Sequence, residues 1–266
     1  MNILVTINKN YLKYLFVMLT SLIKNNNTDI FVYIVSNDVT NNDVDNFFIK
    51  RKAKYQIIKY TDEVLDSSKT TSRYPSVIYY RLLASKYLPT TLDRVLYLDP
   101  DIIILKDLSS FYNVDFGNSY YVGASNIKKF LTKFNELKNK APKDSPYLNT
   151  GVLLINLKEL RKIDCDRLIY DYIEKNQSIL TLPDQDILQG VFGDKVKLVS
   201  NLLYNLSDRE IIKHNLKSLE KIDNKWVEEN TFIIHYIGKN KPWSENYKGI
   251  LQKYYLMYSG GETNEN

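Results

Sequence analysis

The chain has 266 residues, room for one large domain or a domain with an appendage, and its 44% hydrophobic and 25% charged residues are those of a soluble globular protein. Lys and Arg number 36 against 31 Asp and Glu, a net charge of +5 without a basic run, which suits phosphates or an anionic membrane surface and makes no case for nucleic acid. A single cysteine, Cys165, excludes an internal disulfide and a cysteine zinc cluster, and the 22 tyrosines suit sugar or base stacking as well as a Tyr-, Asn- and Lys-rich background.

Met1 to Ile7 opens the chain with neither the basic start nor the small-residue cleavage site of a secretory signal. Tyr14 to Ile23, the most hydrophobic stretch, is too short to span a bilayer, so a cytoplasmic chain is expected. Ile3 to Ile7 reads as a buried strand that Asn8-Lys9-Asn10 ends. Tyr11 to Lys24 has helical apolar spacing. Ile30 to Val35 is a second strand, Asn41 to Lys50 a second helix and Tyr55 to Tyr60 a third strand. This β-α-β-α-β order predicts an α/β fold with a parallel, doubly wound sheet, whose ligands bind at the carboxyl ends of the strands. Asn8 to Tyr11, Asn37-Asp38 and Asp99 to Asp101 all fall at such ends. Neither a G-x-G-x-x-G nor a G-x-x-x-x-G-K-[ST] occurs among only 9 glycines, which argues against a dinucleotide Rossmann enzyme and a P-loop NTPase.

Ser76 to Tyr87 reads as a helix, with Ser76 as its cap and Arg81 in an apolar setting where it either snorkels or meets an anion. It leads into Arg94 to Leu105, the stretch that organises the rest. Val95 to Leu98 is a short apolar strand, and Asp99-Pro100-Asp101 follows before a second apolar run, Ile102 to Leu105. Proline donates no ladder hydrogen bond, so the strand breaks there and frees two carboxylates. Charges at a strand end suit a solvated turn or a hard divalent cation that takes carboxylate and phosphate oxygens. Both readings stand on these residues alone.

Tyr120 to Ser125 is another strand, and the lysine-rich Lys128 to Lys140 is an exposed helix or loop ended by Pro142 and Pro146. In Leu148-Asn149-Thr150-Gly151 a polar turn feeds the apolar strand Val152 to Asn156, and Gly151 allows a close backbone approach to a ligand. Asp166 to Lys175 is an amphipathic helix. Asp184, in Leu182-Pro183-Asp184-Gln185-Asp186, suits an N-cap or first-turn acid. Thr231 to Tyr236 is a strand carrying His235, which is structural or a ligand, and Gly238, Lys239, Lys241 and Trp243 follow in a loop suited to phosphates. Tyr247 to Tyr258 reads as an aromatic helix, and Ser259 to Asn266 as a disordered tail.

Taken in order, Asn10-Tyr11, Arg81, Tyr97-Leu98-Asp99-x-Asp101, Leu148-Asn149-x-Gly151-Val152, Asp184-Gln185-Asp186 and His235-x-x-Gly238-x-x-Lys241-Pro242-Trp243 resemble glycosyltransferase family 8. That family includes lipopolysaccharide galactosyl- and glucosyltransferases and glycogenin. The resemblance implies a GT-A fold, Rossmann-like with helices on both faces, over residues 1–250, with a C-terminal helix end and tail over 251–266. It implies a retaining hexosyltransferase that takes UDP-glucose or UDP-galactose and a glycan, glycolipid or glycoprotein acceptor, with peripheral membrane contact at most, at the inner face. Asp99, Asp101 and His235 would ligate Mn²⁺ or Mg²⁺. Asn8, Asn10, Tyr11, Pro100, Gly238 and Lys241 would surround the nucleotide and diphosphate. Arg81, Asn149, Asp184 and Gln185 would surround the donor sugar. Where close relatives carry a carboxylate after Gly123-Ala124-Ser125, this chain has Asn126 and Ile127. Two other activities are compatible with the same residues: self-glycosylation on a tyrosine, as in glycogenin, and binding of a sugar nucleotide or glycan without turnover.

Overall fold

The computed structural model describes residues 1–51, 53–63, 65, 76–127 and 129–260. Strand β1 (Asn2–Thr6), a helix over Leu12–Lys24, β2 (Ile30–Val35), a helix over Asn41–Ile49 and β3 (Ala53–Ile58) build the expected parallel β-α-β-α-β unit. The second helix starts on a reciprocal cap, in which the Asp43 carboxylate accepts from the Thr40 backbone N–H at 2.9 Å. Strand β4 (Arg94–Leu98) adds in parallel to the other side of β1.

Beyond β4 the sheet is mixed, where the expectation was a parallel, doubly wound one. Strand β7 (Val152–Asn156) runs antiparallel to both β4 and β6 (Tyr121–Ala124), and β8 (Val196–Val199) lies parallel to β6. The sheet order is β3-β2-β1-β4-β7-β6-β8. All five residues of β7 are buried, so its apolar run reports burial on both faces and carries no mark of direction. Strands β5 (Ile102–Ile104) and β9 (Ile233–His235) form a separate antiparallel pair.

Side chains alternate across the sheet into two cores. Ile3, Val5, Leu96 and Leu98 face one core with the first two helices. Leu4, Val95 and Tyr97 face the other, with Leu153, Ile155, Ile169 and Leu188. Burial of each such large side chain contributes roughly 2 kcal/mol. A third core joins β5 and β9 to the helix Gln252–Ser259. That helix is shorter than the predicted Tyr247 to Tyr258. Its Tyr254, Tyr255 and Tyr258 are buried, so its aromatic face belongs to the interior and offers no tyrosine surface. Tyr258 is further held by Asn25, whose Nδ2 donates to its hydroxyl at 2.8 Å. Of the expected tail, residues 261–266 lie outside the described residues.

Ser76 to Tyr87 is not the single helix its spacing predicts. It is wound as 3₁₀ turns over Ser76–Ile78 and Tyr80–Leu83, then an α-turn over Ala84–Tyr87. Tyr80, Arg81, Leu82 and Leu83 are all buried, so no solvent face remains for a regular amphipathic helix and the backbone tightens. The Ser76 side chain lies outside the described residues. Among the described residues no helix is long and apolar enough to cross a membrane.

Candidate active site

The site forms where β4 ends. The Asp99 backbone N–H donates to the Gly151 carbonyl at 2.8 Å, a last rung between β4 and β7. Pro100 then turns the chain into β5. Ile102 pairs with His235, and the Tyr236 N–H donates to the Asp101 carbonyl at 3.0 Å. This pairing carries His235 to the two acids from far along the chain. One ligand atom each from Asp99, Asp101 and His235 lies within 4.8 Å of the others. His235 Nε2 is 3.3 Å from Asp101 Oδ1 and 3.8 Å from Asp99 Oδ2.

Two adjacent carboxylates need countercharge, and each has its own. Lys241 Nζ sits on Asp101 Oδ2 and donates to the Tyr236 carbonyl at 2.7 Å. Burial works against the Asp101 charge, but His235 and Lys241 outweigh it and hold this carboxyl well below the usual carboxylate range. Asp99 Oδ1 accepts from the Tyr97 hydroxyl at 2.7 Å and lies 3.2 Å from Arg81 Nη1.

Arg81 is the buried hub between two acids. Its Nη1 reaches Asp99, donates to the Thr150 carbonyl at 3.1 Å and lies 3.4 Å from Asp184 Oδ2, while the guanidinium stacks 4.3 Å over the Tyr97 ring. Of the two readings open to it, the structure selects the anion. Burial would lower its pKa, yet Asp99, Tyr97 and Asp184 carry it above its ordinary value, so it stays charged. Its Nε is buried with no hydrogen-bond partner among the described residues. Burial raises the Asp184 carboxyl, against the pull of Arg81 and of Thr150, whose hydroxyl donates to Oδ2 at 2.6 Å.

Asp184 does sit in the first turn of a helix, Pro183–Phe192, but the acid that satisfies free backbone donors is Asp186. Its Oδ2 accepts from the N–H groups of Thr181 at 2.7 Å and Leu182 at 3.0 Å, and its Oδ1 takes Lys138, Asn139 and Tyr147. Asp186 is thus structural. Gln185 is half-buried and lines a cavity of about 700 Å³ together with Tyr147, Asn149, Leu182 and the loop from Tyr236 to Asn240.

Two features of the site were not read from the sequence. The first is Asn205. His235 Nδ1 lies 2.9 Å from Asn205 Oδ1, and an amide oxygen only accepts, so Nδ1 carries a proton and Nε2 is the ring nitrogen turned toward the acids. Asn205 Nδ2 donates to Asn149 Oδ1 at 3.0 Å, and Asn149 Oδ1 also accepts from the Gly151 N–H at 3.2 Å. The second is what Gly151 makes room for. A Cβ there would lie 2.3 Å from His235 Cε1 and 2.6 Å from Asp99 Oδ2. The close approach is therefore that of the two side chains themselves.

At the neighbouring strand ends, Asn8 Oδ1 accepts from the Asn10 N–H at 3.1 Å, and both oxygens of Asp38 lie 3.0 Å from the Lys9 N–H. Two of the predicted polar breaks thus meet. Tyr11 is 43% exposed, with its ring edge-on to Tyr14 at 5.8 Å. Tyr14 in turn stacks on Trp243 at 3.7 Å, which fastens the Gly238 loop to the first helix. Gly238 has φ +96°, the left-handed region that glycine tolerates.

The mixed sheet and its acidic turn make this an α/β protein of the GT-A fold, sharing a TM-score of 0.83 at 22% identity with the galactosyltransferase LgtC, solved with donor and acceptor sugar analogues; 100% of this chain and 98% of that one are covered. The chain belongs to glycosyl transferase family 8, whose family model matches residues 2–247. It is 27% identical over 248 residues to a lipopolysaccharide 1,2-glucosyltransferase of Escherichia coli, across 90% of this chain and 72% of the relative. It is 25% identical over 264 residues to a lipopolysaccharide 1,3-galactosyltransferase of Salmonella typhimurium, across 96% and 77%. General stress protein A of Bacillus subtilis is 21% identical over 268 residues, across 97% and 92%.

Proposed function

We propose that this chain is a Mn²⁺-dependent, retaining hexosyltransferase that moves glucose or galactose from a UDP-sugar to a glycan, glycolipid or glycoprotein acceptor. The observation that carries the reading is the convergence of Asp99, Asp101 and His235 within 4.8 Å, beside the buried Arg81–Asp184 pair. The donor set fits a divalent cation. It has two carboxylates and an imidazole nitrogen turned toward them, and an imidazole ligand tilts the choice toward Mn²⁺ over Mg²⁺. Asp99, Asp101 and His235 would hold it. Bound there, a cation neutralises diphosphate charge as the glycosidic bond breaks.

The remaining roles fall to the chain's own groups. Lys241 adds a cation for the diphosphate, and the Gly238 turn gives the loop its approach. Tyr11 offers a ring face to uracil, with Asn8 and Asn10 beside it, and Pro100 keeps the acidic turn out of the ladder. Arg81, Asn149, Asp184 and Gln185 position the sugar. Asp184 is already engaged by Thr150 and Arg81, which suits an orienting role and makes it a poor nucleophile. The Gln185 amide is a poor nucleophile too, and Asn126-Ile127 brings no acid. Retention then proceeds on the front side: the departing diphosphate takes the acceptor proton as the new glycosidic bond forms.

The test is transfer from a panel of UDP-sugars, with the product linkage assigned by NMR. An α-linked product from an α-linked donor is expected, lost on Asp99→Ala, Asp101→Ala or His235→Ala with the fold intact. A β-linked product refutes retention, and a trapped glycosyl ester on Asp184 refutes the front-side route.

A further inference from the structure

The helix over Lys129–Lys138 is turned inside out. Phe130, Phe134 and Leu137 lie on one face at helical spacing and are 64%, 63% and 79% exposed, while Glu136 on the opposite face is only 8% exposed. An amphipathic helix on a globular protein ordinarily does the reverse. Nor is this helix free to roll over, because a polar network pins its inner side. Lys138 donates to Asp186 Oδ1 at 2.9 Å and to Thr181 Oγ1 at 2.8 Å. Asn139, which is fully buried, donates to Asp186 Oδ1 and to Gln189 Oε1, each at 3.0 Å. The apolar face is held outward by the same buried acid that anchors the active-site helix.

Charge says what covers it. Residues 128–144 carry six lysines against two acids, Glu136 and Asp144. Lys133 pairs with both acids, at 3.2 Å and 2.8 Å. Lys140 and Lys143 are exposed and form no ion pair among the described residues. Aromatic and leucine side chains with the exposed Lys133, Lys140 and Lys143 on and just beyond the same helix suit a bilayer with acidic headgroups: the rings enter the interface and the ammonium groups stay at the phosphates. A second copy of the chain suits it poorly, since a two-fold contact would set this basic segment against itself.

We propose that the Phe130–Phe134–Leu137 face docks this protein on an anionic lipid surface. The active-site cavity lies beside it. Ile127, just before the helix, lines that cavity with Ile212 and Ile237, and its lining also includes Arg209, Lys239 and Lys248, exposed cations without an ion pair among the described residues. Docking therefore brings the Ile127 edge of the cavity toward the headgroups, which suits an acceptor carried at the membrane. The acceptor class rests on the transferase reading above; the docking face does not.

The experiment is co-sedimentation with vesicles of phosphatidylglycerol and phosphatidylcholine against phosphatidylcholine alone. The wild-type chain binds the acidic vesicles preferentially and is released by salt. The triple variant Phe130→Ser, Phe134→Ser, Leu137→Ser loses about tenfold or more of that binding. Its melting temperature and its UDP-sugar hydrolysis in solution stay at wild-type values. Lys140→Glu with Lys143→Glu weakens binding to acidic vesicles and leaves any binding to neutral ones unchanged. Undiminished binding by the triple variant overturns the proposal, as does a wild-type chain that ignores acidic vesicles. A wild-type dimer that the triple variant converts to monomer, with no vesicle binding by either, gives the face to a second copy, and salt-sensitive capture of an acidic protein with no vesicle binding gives it to that partner; both overturn the lipid surface. Vesicle binding without any hydrolysis or transfer sinks the transferase reading and leaves the docking face standing.

Discussion

Gly151→Ala adds one methyl group at the narrowest point of the site. The new Cβ would lie 2.3 Å from His235 Cε1 and 2.6 Å from Asp99 Oδ2. Ordinary carbon contact is about 3.5 Å, so the imidazole must retreat by roughly 1.2 Å. It has little room, because its ring is buried and its Nδ1–H is committed to Asn205 Oδ1 at 2.9 Å. Overpacking of this kind costs about 1–3 kcal/mol, which lowers the melting temperature of a domain this size by roughly 2–10 °C. The effect on the cation is larger in kind. Metal–ligand distances tolerate only about 0.2 Å, and the ring displacement exceeds that several-fold. On the proposed function, Mn²⁺ with UDP should stabilise the wild-type chain against heat, and the variant should remain folded and lose that stabilisation. Differential scanning fluorimetry measures both quantities in one titration, and isothermal calorimetry checks the affinity. A Gly151→Ala protein that gains as much stability from Mn²⁺ and UDP as wild type does would refute the reasoning, since His235 would then not be needed where it stands.

Asn205→Leu removes the acceptor that sets the His235 tautomer and should weaken Mn²⁺ binding about 10- to 100-fold by calorimetry; Asn205→Asp, which still accepts from Nδ1, should recover most of it, and equal losses in both would count against the tautomer argument. Asp184→Asn should slow transfer without stopping it, and Gln185→Ala should lower kcat mainly by loosening the sugar's position; complete inactivity of Asp184→Asn with the fold intact would instead favour a nucleophilic carboxylate. Burial pushes the Cys165 thiol up to about 12, so it should stay inert to thiol reagents in the native state and react only as the chain unfolds, as a reagent titration against urea would record. Rapid labelling without denaturant would show that the helix over Cys165–Asn176 opens locally.

The break at the acidic turn was legible from proline between two aspartates after an apolar strand, but a solvated turn fitted those residues as well as a cation site; the order of the motifs, ending in His235 and the Gly238-to-Trp243 loop at its distinctive spacing, is what favoured the site. The first three strands and their helices followed from clean changes of period. The direction of β7 did not, since a strand buried on both faces has no polar alternation to orient it. Asn205 was invisible for a different reason: it is one asparagine in an asparagine-rich chain, and its partners Asn149 and His235 are distant in sequence. The 3₁₀ winding around Arg81 goes with the burial of all four residues Tyr80 to Leu83, which tertiary packing decides and no local pattern contains. The helix over Lys129–Lys138 had the right period, and the side that faces out was decided by Asp186 and Gln189, far along the chain.

The pairing of β5 with β9 has a consequence for how the protein is made. The Asp99 and Asp101 side emerges from the ribosome long before Ile233–His235 does. Closing that span costs about 2 kcal/mol more loop entropy than a ten-residue hairpin. Until β9 docks, a nascent chain offers only a pair of acids, a weak ligand for any cation. A cation that binds the finished site cannot therefore guide early folding; it acts as a latch set last. Its influence should fall on the rate of unfolding more than on the rate of folding, so that cation supply governs how long each folded molecule survives.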